Sequence, residues 1–186
     1  MPTAEPMTYV RLGEILQEIG MVSAATVRRV LADGYLDVPL SQYEAALALE
    51  EFGVAVSIHA EDIDSIHTDY RGLLERAAEV AGDRVAIRNV RIVEGAGELE
   101  DGRDDRLEFE RDGRPVSIPA EHYAEDYYDH AAASQAIAET AHEDDPRAWY
   151  DVRFEREPRR IYESIMVLAT PQQAAALCDR LGVTFH

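Results

Sequence analysis

The chain predicts an α+β fold: N-terminal helices followed by a mainly antiparallel sheet of about five strands packed with helices. Three observations lead there. Apolar residues recur at spacings of three and four through the N-terminal quarter, the period switches to two from Val85 onward, and single helical segments interrupt the later strands without regular alternation. A length of 186 residues suits one well-buried core, so a single unit over 1–186 is expected, helical at about 9–52 and mixed at about 53–186.

Leu12, Ile15, Leu16 and Ile19 mark the first helix, and Gly20 stops it. The run Leu12-Gly13-Glu14-Ile15-Leu16 and the short helix after it superficially resemble N-terminal modules of secretion ATPases; the likeness is confined to this short stretch, and no phosphate-binding loop follows. Ser23 suits the cap of a second helix carrying Val27, Val30 and Leu31, closed by Asp33-Gly34, and Ser41 with Glu44 forms a capping-box pattern for a third that ends before Gly53. Val54 to Ile58 is a short β-type run. Ile63, Ile66, Tyr70, Leu73, Leu74 and Ala77 then give an amphipathic helix to about Gly82.

Val85 to Val93 reads as a strand, Leu107 and Phe109 as a second, and Val116 to Ile118 as a third, with Asp112-Gly113 as the hairpin turn between the latter two. The glycine- and acid-rich Glu94 to Arg106 reads as an exposed loop. Pro119 is expected to open a helix through about Ala141, which Pro146 ends. Tyr150, Val152 and Phe154 alternate as a strand, Pro158 marks a turn, and the continuous apolar run Ile161 to Leu168 suits a central strand buried on both faces. Thr170, Pro171 and Gln173 start the last helix, which Gly182 ends.

Charge is the chain's most distinctive property. There are 37 acids against 18 basic residues, every one an Arg, for a net charge of −19. The excess lies in two stretches without a basic residue, Val30 to Tyr70 and Pro115 to Pro146. Segregated charge makes a directed field that disfavours nucleic acid and anionic lipid and attracts basic proteins or cations, although acidity also serves solubility alone. Met1 to Thr8 lacks the pattern of a signal peptide, no window reaches the length of a membrane span, and the single Cys178 suits a reducing compartment, so a cytoplasmic protein is expected.

On the expected helix after Pro119, His122, Asp126 and His130 fall at i, i+4 and i+8, sharing an arc with Glu125 and Asp129. One helix face supplies at most part of a metal site, so His122, Asp126 and His130 stand as the ligand set of an alternative, metal-assisted enzyme, and no cofactor is expected. Asp62, Asp64 and Asp69 surround the start of another helix, where its dipole accounts for early carboxylates. Ser65, His67 and Asp69 contain triad residue types as mere neighbours along one helix. Gly95 and Gly97 give only an acidic G-x-G, and Cys178 shares a face with Leu177 and Leu181, as a small buried residue would. Arg153, Arg156, Arg159 and Arg160 form the one basic concentration, suited to an anionic ligand but interleaved with Asp151, Glu155, Glu157 and Glu163.

These readings favour a non-enzymatic acidic protein that docks a basic protein partner, as an inhibitor or immunity-type antagonist would. The contact residues expected are Tyr123, Glu125, Asp126, Tyr127 and Asp129, with Asp62, Asp64 and Asp69 as a second contribution. A structural or regulatory subunit with incidental acidity is the remaining alternative.

Overall fold

Each α-helix starts on a side-chain cap, and Ser23, Ser41 and Thr170 are the caps that the sequence marks. In the computed structural model, which describes residues 6–32, 34, 37–59, 63–153 and 163–185, Thr8 caps α1 (Tyr9–Glu18) and Ser23 caps α2 (Ala24–Leu31). Ser41 and Glu44 form the complete capping box of α3 (Gln42–Glu51). Ser65 caps α4 (Ile66–Val80), whose buried stripe is Ile66, Tyr70, Leu73, Leu74, Ala77 and Ala78. Asp129 caps α5 (His130–Ala138), and Thr170 with Gln173 boxes α6 (Pro171–Leu181), which ends on Gly182 at φ 70°.

The strands form two antiparallel sheets. Strands β1 (Ala55–His59), β5 (Ala148–Arg153), β6 (Glu163–Ala169) and β7 (Thr184–Phe185) make a four-stranded sheet in the order β1-β6-β5-β7. Strands β2 (Ile87–Val93), β3 (Arg103–Arg111) and β4 (Arg114–His122) make a three-stranded sheet in sequence order. At the β3–β4 turn, Asp112 and Gly113 both have positive φ (51° and 77°), as a tight two-residue hairpin requires.

The four-stranded sheet is the middle layer. On one face, Ile165 and Val167 of β6 meet Leu12, Leu16, Val27, Leu49, Phe52 and Leu177 from α1, α2, the end of α3 and α6. On the other, Met166 of β6 with Val56 and Ile58 of β1 joins the core formed by α4, α5 and the three-stranded sheet, where Leu107, Phe109 and Ile118 are almost fully enclosed. Burying each such large side chain contributes roughly 1.5–3 kcal/mol. Strand β6 is central, as its unbroken apolar run predicts, because both faces are covered and both edges paired.

Four expectations change. The segment from Pro119 is not a helix: β4 continues to His122, and α5 begins only at His130. Ile118, Ala120 and His122 keep the inward alternation of a strand, and Pro119 is accommodated because β4 is a sheet edge. The Glu94–Arg106 segment is only partly an exposed loop, since β3 starts at Arg103 and buries Arg103 and Asp105. Thr184–Phe185 adds a short strand on β5 beyond the last helix. Cys178 is half-buried, not enclosed. Asp33, Phe154, Pro158 and Ile161 lie outside the described residues.

Candidate functional site

The β3–β4 hairpin turns one face to the core, and that face changes character along its length. Nearest the turn it presents Phe109, Leu107 and Ile118; at the far end it presents Asp105, Arg103 and His122, with Asp105 opposite Ala120 and Arg103 opposite His122. Arg103, Asp105 and His122 are only 8%, 2% and 1% exposed, so their polar groups must find partners inside the protein.

They do so in a closed chain. Arg103 grips Asp105 with two bonds, Nε to Oδ1 at 2.7 Å and Nη2 to Oδ2 at 3.1 Å, and the Gly95 N–H donates to Oδ1 at 2.9 Å. Asp105 Oδ2 lies 2.9 Å from His122 Nδ1, and His122 Nε2 lies 3.0 Å from the Tyr70 hydroxyl of α4. The carboxylate can only accept, so Nδ1 carries the imidazole proton and Nε2 accepts from Tyr70. The same hydroxyl accepts the Asp129 N–H at 3.1 Å. Burial alone raises the Asp105 carboxyl, but the bonds from Arg103, Gly95 and His122 outweigh it and hold the group below the usual carboxylate range. Burial pushes the Tyr70 phenol well above its ordinary value.

This chain fixes the connection that follows β4. Asp129 Oδ1 accepts the N–H groups of Ala131 and Ala132, its Oδ2 accepts the N–H of Glu121, and the Ile66 N–H donates to the Glu125 carbonyl at 2.8 Å. The turn of residues 123–127 is thereby pinned to β4, to α5 and to the start of α4. Its side chains face outward: Tyr123 is 59% and Tyr127 39% exposed, and Glu125 and Asp126 are exposed. Tyr128 instead packs inward, edge-on to Tyr70 at 4.8 Å between ring centres. A depression of about 390 Å³ opens here, lined by residues 121–124 and 127–130, among them Glu121, Tyr123, Tyr127 and Tyr128.

Tyr123 is exposed yet held. The neighbouring Glu121 and Asp104 carboxylates raise its phenol above the ordinary value. Its ring lies against Gly102, where an added Cβ would come within 2.9 Å of Cε1. Asp104 and Glu121 are themselves exposed cross-strand partners, a like-charge pairing that destabilises a sheet. Close by, Glu94 bridges His67 at 3.3 Å and Arg103 at 3.5 Å, tying the β2–β3 connection to α4.

Of the residues singled out from sequence, the fold gathers Tyr123, Glu125, Asp126 and Tyr127 on one exposed turn beside the start of α4, where Asp64 is exposed. Asp129 is engaged as the cap of α5. Asp69 Oδ2 accepts from the Ser65 N–H and the Thr68 hydroxyl, and Ser65 Oγ accepts from the His67 N–H, so Ser65, His67 and Asp69 are helix-start chemistry and not a triad. Asp62 lies outside the described residues, as do Arg156, Arg159 and Arg160, while Arg153 pairs with Asp151 at 3.3 Å.

The proposed metal set is not assembled. His122 is buried with both nitrogens bonded, Asp126 sits on the outer turn, and His130 Nδ1 meets Ser164 Oγ at 3.1 Å. Among the described residues no three His, Cys, Asp or Glu side chains converge as metal ligands. Gly95 serves close packing, because any Cβ there would collide with the Asp104 carbonyl. Sequence reasoning missed Tyr70, Arg103, Asp105 and Glu121. The signal for two of them was present, since the alternation of Leu107 and Phe109 extends backward to Asp105 and Arg103. Among the described residues, no helix is long and apolar enough to cross a membrane.

Comparison with protein-family models, with curated proteins and with solved structures found no match to this chain.

Proposed function

We propose that this protein is a non-enzymatic binding module that docks a basic protein, as an inhibitor or immunity-type antagonist does. The observation that carries the reading is the turn of residues 123–127, where two exposed tyrosines stand among Asp104, Glu121, Glu125 and Asp126 on a rigidly held backbone. Acidic side chains of one sign steer a basic partner during encounter, and amphipathic Tyr rings supply contact area at small entropic cost. Retaining like charges opposite each other at Asp104 and Glu121 costs stability, which accords with a surface selected for binding. The buried Asp105–His122–Tyr70 chain serves this surface as a brace, because it is closed to solvent and holds both ends of the turn.

The test starts from proteins retained by the intact chain in an extract of its source cell at low salt. The tightest-bound basic protein is purified, and its association rate is measured at ionic strengths from about 0.01 to 1 M, where screening lengths fall from about 30 to 3 Å. The rate should drop steeply with salt, and changing Glu121→Gln, Glu125→Gln and Asp126→Asn together should remove most of that dependence. Salt-independent association, or binding unaltered by the triple change, refutes this surface.

A further inference from the structure

We propose that the depression beside this turn is a cation pocket that accepts one arginine side chain of the partner. The inference rests on the docking reading and names the group that would anchor it. Three tyrosines line the depression. Tyr128 is fixed by its edge-on contact with Tyr70, the Tyr123 ring rests against Gly102, and Tyr127 is exposed.

The volume, about 390 Å³, lies at the small end of ligand pockets, which span about 300–1,000 Å³. Its chemistry selects among occupants. A neutral apolar group would desolvate Glu121 without giving it a partner, and an anion would meet Glu121 and the nearby Asp104 and Asp126. A guanidinium satisfies both parts of the lining: its flat face stacks on phenol rings, its N–H fork reaches carboxylate oxygens, and its methylene stem covers apolar surface. The protein's own guanidinium at this end of the hairpin, Arg103, is already committed to Asp105 and Glu94. Because Tyr128 is held before any ligand arrives, it needs no ordering on binding.

The experiment titrates the whole protein with short, otherwise identical peptides carrying one central Arg, Lys or norleucine, followed by NMR of the tyrosine rings and by calorimetry. The Arg peptide should shift the Tyr123 and Tyr127 ring signals and bind at least several-fold more tightly than the norleucine peptide, with Lys between them. Tyr127→Leu and Glu121→Gln should each weaken the Arg peptide about three- to fivefold; both alter exposed side chains, so the fold persists as a control. Equal binding of Arg and norleucine peptides, or Arg-induced shifts spread over the acidic surface without a Tyr123 or Tyr127 response, overturns the pocket. Salt-steered partner binding that survives such a result leaves the docking surface standing alone. A pocket that takes Arg while no partner shows salt steering retains the site and removes the docking reading.

Discussion

Changing Tyr70→Phe removes one oxygen from the centre of the buried chain and leaves the ring that packs on Tyr128 in place. Two groups lose their partner: His122 Nε2, in a side chain with 1% exposure, and the half-buried Asp129 N–H. A buried acceptor left without a donor costs about 1–3 kcal/mol. The Asp129 N–H can recruit water and adds only about 0.5–1 kcal/mol, so the total is about 1.5–4 kcal/mol. In a chain of this size each kcal/mol lowers the melting temperature by about 2–4 °C, which gives a drop of roughly 3–16 °C. Urea unfolding measures the loss, and amide exchange at Asp129, Ala131 and Ala132 should rise ahead of the remaining core. Tyr127→Phe, at a 39% exposed site, should stay within about 0.5 kcal/mol of the parent. If Tyr70→Phe also stays within that margin, the hydroxyl does not close the network and the account of the brace fails.

Asp129→Ala should destabilise by about 1–2 kcal/mol and fray the start of α5, whereas Asp129→Asn should recover most of the loss, as circular dichroism and urea midpoints would show. Gly102→Ala places a Cβ at φ 85° and against the Tyr123 ring, so it should cost about 1–2 kcal/mol and shift the Tyr123 ring resonances. At acid pH, the hydrogen bond from Arg147 holds the Asp145 carboxyl down at about 2 against an ordinary 3.8. The stability it contributes is therefore complete above pH 3.8 and disappears as pH falls towards 2. With Arg147 partly solvated, that contribution is about 1 kcal/mol, and Asp145→Asn should flatten this part of the urea-midpoint profile. At alkaline pH, burial raises the phenols of Tyr70 and Tyr128, so their stabilisation is intact below about pH 10 and is lost as pH climbs beyond it. Ultraviolet titration should show these two ionising only as the chain unfolds.

Local signals in the sequence determined most of the elements. The boxes at Ser41 and Thr170, the stripe on α4, the Asp112-Gly113 turn and the apolar run of β6 each state a preference that neighbouring residues satisfy among themselves. Sequence also marked Pro115 to Pro146 as a stretch of acids without a basic residue, because a deficit of Arg is visible without coordinates. Tertiary structure decided the rest. Pro119 suits the first turn of a helix and the edge of a sheet equally well locally, and only pairing with β3, which puts Ala120 opposite Asp105 and His122 opposite Arg103, selects the strand. Once β4 is extended, His122 turns inward to Asp105 and Tyr70 while Tyr123 turns outward to Glu121, so adjacent residues acquire opposite roles. The buried chain joins α4, both strands of the hairpin and the start of α5, and contacts of such separation leave no periodic trace in the sequence; they exist only when the register of one sheet and the docking of one helix coincide.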